Sequence, residues 1–106
     1  MTTEMALDYL IACAIWESNR LGQPIWFNKL EGLMEHKASR STISKNIDKL
    51  FDYGIISGEW SKNSEGNWVR TFHISGEASA LMEKIATEHR DDPDFVDVRS
   101  RMEPAS

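Results

Sequence analysis

Between Glu4 and Leu21 apolar residues recur on two stripes of one helix. Leu7, Ile11 (with Leu10), Ala14 and Leu21 form the first stripe. Met5, Tyr9, Ala12, Cys13 and Trp16 form the second. A helix that covers only its own core needs a single stripe about 100° wide. The doubled pattern therefore predicts burial on both sides, with the second stripe covered by a partner subunit or by the C-terminal segment of the same chain. A partner subunit is the reading adopted, which makes Met5, Tyr9, Ala12, Cys13 and Trp16 the expected dimer contacts. Thr2 or Thr3 can cap this helix, Glu4 suits its positive end, and Gly22 and Pro24 stop it.

The segment Gln23 to Phe27 begins near a proline and holds Ile25, Trp26 and Phe27, so it predicts a brief edge strand. Asn28 then opens a second helix with Glu31 at the capping-box position, turning Leu30, Leu33 and Met34 inward. After the tight connection His36–Lys37–Ala38, Ser39 caps a third helix that runs to about Tyr53 and ends at Gly54. Ile43, Ile47, Leu50 and Phe51 recur there at i, i+4, i+7 and i+8, a single clean stripe. The opposite face keeps Arg40, Ser41, Ser44, Lys45, Asp48, Lys49 and Asp52.

Beyond Gly54 the period falls to two. Ile56, Gly58 and Trp60 alternate with polar residues, and 62–67 is rich in turn formers. Trp68, Arg70, Phe72 and Ile74 then share one face of a second strand. This is a hairpin with a polar tip, in which Trp60 and Trp68 are expected to face each other. Ser75 caps a last long helix over about Gly76 to His89, with Ala78, Leu81, Met82 and Ile85 inward. Asp91–Asp92–Pro93 ends it. The acidic remainder is expected to be mobile, or to form a short helix with Phe95, Val98 and Met102 on one side. The fold class is thus mainly α with a small β hairpin: one domain over residues 1–90 and a tail over 91–106.

Charge refines this picture. The chain has 106 residues and a net charge of −5, which by itself disfavours an anionic partner. Its distribution is uneven. Residues 1–35 carry two basic and five acidic groups (−3), residues 36–70 six and four (+2), and residues 71–106 four and eight (−4). The one positive third contains the third helix and the hairpin, so a phosphate backbone would still be steered to it. No apolar run reaches the roughly 18 residues of a membrane span, and the acidic N-terminus does not have the form of a signal peptide. The only cysteine, Cys13, fits a reducing cytoplasm and reads as a small buried apolar residue.

The stretches Pro24-Ile25-Trp26-Phe27-Asn28-Lys29-Leu30, Ser39-Arg40-Ser41-Thr42-Ile43-Ser44-Lys45-Asn46-Ile47-Asp48-Lys49-Leu50 and Asp52-Tyr53-Gly54-Ile55-Ile56 together resemble the centre of MarR- and ArsR-like transcription regulators. The run Arg70-Thr71-Phe72-His73-Ile74-Ser75-Gly76-Glu77-Ala78 resembles the way those proteins leave the wing. The resemblance covers about Pro24 to Ile85. It implies a short, archaeal-type winged helix-turn-helix protein that binds double-stranded DNA as a homodimer through its terminal helices. It also implies a small-molecule effector site between the first helix and the wing.

The physical case for DNA stands beside the resemblance. A helix enters the major groove when one face is polar and the other is anchored in a core. Ser39, Arg40, Ser41, Ser44, Lys45 and Lys49 are the expected contacts of the reading helix. Lys62, Asn63, Asn67 and Arg70 are expected to touch the backbone or minor groove from the wing. Asp48, Asp52, Glu59 and Glu65 work against strong binding, so a second subunit engaging a second half-site is expected. Those acids also favour the competing expectation, a winged-helix module that binds protein and not DNA. His36, His73, His89 and Cys13 lack metal-ligand spacing, the six glycines form no phosphate loop, and no nucleophile elbow is present. No cofactor and no enzyme activity are expected.

Overall fold

A computed structural model describes residues 5–102. The expected caps at Thr2 or Thr3, and Glu4 beside them, lie outside these residues. Helix α1 (Leu7–Arg20) runs through the middle of the molecule and is followed by α2 (Phe27–Met34) and α3 (Arg40–Asp52). Strands β1 (Ile56–Lys62) and β2 (Trp68–Ile74) form an antiparallel hairpin, and α4 (Ser79–Glu88) and α5 (Pro93–Met102) complete the chain. Gly22 and Gly54 stop α1 and α3 as expected, with φ of 72° and 73°.

The second stripe of α1 requires a correction. Met5, Ala12 and Cys13 are buried within the chain itself, in one core with Phe95, Val98 and Met102 of α5. Helix α1 packs against α3, α4, α5 and β2, so its own chain surrounds it. The short helix opened by Pro93 takes the place assigned to a partner, because its i, i+3 and i+7 apolar residues need the same cover that α1 needs. Met5, Ala12 and Cys13 are therefore not available as dimer contacts. Of the five residues named, Tyr9 is 48% exposed and Trp16 half-buried. Burial also pushes the Cys13 thiol up to about 12, so it stays a neutral, unreactive SH.

Four local expectations also change. The edge strand before α2 is reduced to a single bridge, Trp26 to Thr71, supported by the Phe72 N–H donating to the Ile25 carbonyl at 2.8 Å. Helix α2 starts one residue early, at Phe27, with no side-chain cap. The expected capping residues Asn28 and Glu31 instead accept from Arg40, at 3.4 and 3.0 Å. Ser75 likewise donates its hydroxyl to the Gly54 carbonyl at 2.6 Å, so the chain enters α4 through a 3-10 turn over Gly76–Ala78. In α4, Met82 and Ala86 are buried, while Leu81, expected inside, is 52% exposed.

Charged pairs tie the termini of these helices together. Lys37 donates to Asp94 at 2.7 Å and His36 meets Asp97 at 2.7 Å, fastening the α2–α3 turn to α5. Glu17 is almost wholly buried, yet its carboxylate pairs with Arg20 and lies 3.5 Å from Arg90. Burial works against the ionised form of Glu17. The hydrogen bond from Arg20 and the charges of Arg20, Arg90 and Arg99 outweigh it and hold its pKa below the usual range. No helix among the described residues is long and apolar enough to cross a membrane.

Candidate nucleic-acid interface

Helix α3 begins as the sequence requires. The Thr42 N–H donates to Ser39 Oγ at 3.4 Å, a long N-cap bond, while Ile43, Ile47 and Leu50 are buried below. Ser41, Lys45, Asp48 and Asp52 follow one another along the solvent face, with Lys49 beside them, and all five are exposed. Lys45 and Lys49 make no ion pair among the described residues. Their charges are nonetheless matched in number by Asp48 and Asp52 on the same face, so this surface is polar and near neutral.

Arg40 is exposed but not without partners. Its guanidinium pairs with Glu31 at 3.0 Å and lies 4.6 Å from the centre of the Phe27 ring. It lines an open groove with Phe27, Ser39, Ser41 and Ser44 at the start of α3. Its positive charge is partly offset by Glu31 at the surface.

The hairpin register is Ile56 to Ile74, Gly58 to Phe72, Trp60 to Arg70 and Lys62 to Trp68. These eight residues share one face. At its base, Ile56 and Phe72 are buried, and Phe72 meets Phe51 of α3 edge-on with ring centres 6.0 Å apart. Farther out, Arg70 places its guanidinium 4.5 Å from the Phe51 ring. Gly58 makes room for this: a Cβ there would collide with the Arg70 side chain. Trp60 and Trp68 continue the same face to the tip and are 69% and 64% exposed. Trp60 stands opposite Arg70 and not opposite Trp68, which corrects the expected cross-strand pair. Lys62, opposite Trp68, holds its ammonium 5.4 Å from that ring.

The tip is closed by Asn63. Its carboxamide oxygen accepts from the N–H groups of Glu65 and Asn67, both at 3.0 Å. That oxygen therefore shapes the loop, although Asn63 and Asn67 were both expected as DNA contacts; the Asn67 side chain is exposed. Glu59 belongs to the other face of β1, where it lies 3.6 Å from His73. The face that looks toward α3 thus carries Lys62 and Arg70 and no acid.

The hairpin base is gripped from both sides. Asn19 of α1 donates to the Phe72 carbonyl at 3.2 Å and accepts from the Ile74 N–H at 2.9 Å. Between the end of α1 and the hairpin lies a cavity of about 270 Å³ lined by Asn19, Gln23, Glu59, Thr71 and His73 among others. Among the described residues no group of three or more His, Cys, Asp or Glu gathers to hold a metal ion. His89 reaches Asp92 only at 3.8 Å.

No protein-family model matches the chain, and no curated protein matches it. Solved structures do. The circadian clock associated protein Pex from Anabaena superposes with a TM-score of 0.64 at 20% identity, over 93% of this chain and 87% of that one. A PadR-like transcriptional regulator from Bacillus cereus superposes with a TM-score of 0.63 at 17% identity, over 92% of this chain and 93% of that one. At these identities the likeness is one of fold: five helices and a two-stranded wing, a winged helix-turn-helix. Neither neighbour is described as MarR- or ArsR-like.

Proposed function

We propose that this chain is a transcription regulator that binds double-stranded DNA in a sequence-specific way, with α3 in the major groove and the hairpin on the adjoining backbone or minor groove. One observation carries the reading. The hairpin face bearing Lys62 and Arg70 has no acid and abuts α3 through the contact of Arg70 with Phe51, on the core-facing side of that helix. A capped, exposed helix with small Ser41 and Ser44 beside a cationic wing suits a duplex. The winged-helix likeness to a transcriptional regulator supports the same reading. We further propose a cytoplasmic homodimer, because one near-neutral helix and one short wing give few phosphate contacts, and two protomers double them. Tyr9 and Trp16 on α1 remain the candidate subunit contacts. The cavity between α1 and the hairpin is the candidate place for a small-molecule effector, since it lies between the end of α1 and the wing.

The test is a mobility shift with genomic DNA fragments at low salt. Native protein is expected to shift DNA, and Lys45→Ala/Lys62→Ala to bind at least about tenfold more weakly with a shallower salt dependence. Unchanged binding by that variant defeats the assignment of these surfaces. The competing reading, a protein-binding module, draws on the Arg40–Glu31 pair and on Asp48 and Asp52. It gains if native protein gives no shift at micromolar concentration.

A further inference from the structure

We propose that the hairpin face toward α3 is a stacking platform for unpaired bases, so that the protein holds an opened or single-stranded stretch of DNA beside its duplex site. The position of that stretch rests on the duplex reading of α3; the platform itself does not.

Four observations lead there. First, Trp60 and Trp68 are two of the most exposed large apolar side chains in the molecule, at 69% and 64%. They lie on the same face as buried Ile56 and Phe72, so the face stays apolar after it has left the core. Second, the register makes the two tryptophans diagonal neighbours, a relation that sets the residues roughly 7–8 Å apart, with their Cβ atoms somewhat closer. They do not pack on each other: the aromatic pair among the described residues is Phe51 with Phe72. Stacked bases of one B-form strand are only about 3.4 Å apart. Rings anchored farther apart than that, and not packed on each other, can each seat one base of a strand whose bases have been splayed.

Third, the charge on this face selects an anion. Lys62 and Arg70 flank the rings, while Glu59 points to the other face. A second copy of this chain is a poor occupant, because a symmetric contact would set like charges against each other. Fourth, the side chains are poised. The Lys62 ammonium covers one face of Trp68 at 5.4 Å, and Arg70 is held against Phe51, leaving ring surface open between two phosphate-binding groups. A base stacked on a tryptophan next to a cation is the general form of single-strand recognition.

The experiment uses the full chain and three DNAs of matched sequence: a blunt duplex, the same duplex with a central mismatch bubble of about five nucleotides, and a thymidine oligomer. Binding is followed by tryptophan fluorescence and anisotropy across a salt series. The bubble is expected to bind on the order of tenfold more tightly than the blunt duplex, and the oligomer to quench emission. Trp60→Ala/Trp68→Ala removes the bubble preference and the quenching. It leaves the salt slope unchanged, because rings release no counterions. Trp60→Phe/Trp68→Phe keeps most of the preference, which shows that the rings act by stacking.

Equal affinity for bubble and blunt duplex in native protein overturns the proposal, as does a preference that survives in the alanine variant. It is also overturned if the alanine variant sediments at half the native mass, since the rings would then be a subunit contact. Quenching by the oligomer that requires both tryptophans, with no binding of blunt duplex, upholds the platform while removing the duplex reading of α3.

Discussion

Helix α3 and the hairpin contribute to the same side of the molecule, yet α3 is fastened along its length while the hairpin is fastened through its base and middle and free at its tip. Ile43, Ile47 and Leu50 sink into the core along α3, and Lys37 and His36 lock the preceding turn to α5. The hairpin is held by Ile56, Phe72 and Asn19, after which Trp60, Lys62 and Trp68 stand in solvent. The charges divide the other way. The rigid helix shows a near-neutral surface, and the projecting wing shows a cationic one. Geometric precision and electrostatic pull therefore come from different elements.

The sharpest way to break this comparison is a pair of truncations. Ile43→Ala removes a fully buried side chain and is expected to cost about 2–5 kcal/mol in urea unfolding. Trp60→Ala is expected to change stability by no more than about 0.5 kcal/mol. If Trp60→Ala costs as much as Ile43→Ala, the tip of the wing is part of a core and the comparison fails.

A smaller effect should appear at the hinge between the two regions. Asn19→Ala leaves the Phe72 carbonyl and the Ile74 N–H without their side-chain partner at a partly buried site, for about 1–3 kcal/mol. DNA affinity should fall further than stability alone explains, since the wing would lose its set relative to α3. Hydrogen exchange at Phe72 and Ile74 that is no faster in this variant would show that Asn19 does not hold the wing.

The smallest effect is a matter of pH. Asp94 is held below the usual carboxylate range, chiefly by the hydrogen bond from Lys37. Burial opposes ionisation of Asp97, but the His36 hydrogen bond and the Arg101 charge depress it in turn. Both pKa values are lower folded than unfolded, so their stabilisation is complete above the ordinary carboxylate pKa of about 4. It is lost as the pH falls through the depressed folded values. The thermal midpoint should therefore drop in that window, and Asp94→Asn should flatten the drop. An equally steep drop in Asp94→Asn would place the acid sensitivity elsewhere, with Glu17 the next group to examine.

The order of elements was legible because its punctuation is local. Gly22, Pro24, Ser39, Gly54 and Pro93 each act on a few neighbouring bonds, and the Ile43–Phe51 stripe has one period. The features that were not legible depend on contacts between distant segments. Asn28 and Glu31 have the spacing of a capping box, and only the arrival of Arg40 diverts them. Trp60 and Trp68 alternate correctly, but whether they oppose each other depends on how the Asn63 loop closes. The two stripes of α1 state that both sides are buried without saying by what. For the site, Lys45, Lys62 and Arg70 could be named from pattern and charge. The tie on Arg40 and the acid-free wing face required the folded chain.

The cover that α5 gives to α1 has a consequence for how the protein comes into being. Residues near Met5 and residues near Phe95 belong to one core, and the Met5 N–H donates to Asp94 at 3.3 Å. During synthesis the first helix therefore waits, with Ala12 and Cys13 uncovered, until Pro93–Met102 has been made. Contacts of such long sequence separation slow folding and lengthen the exposure of apolar surface. A ribosome paused within the last helix would carry a chain whose α3 and hairpin are already written but whose central helix still lacks the cover of α5. That half-covered state, more than the finished fold, is where chaperones and proteases would meet this protein.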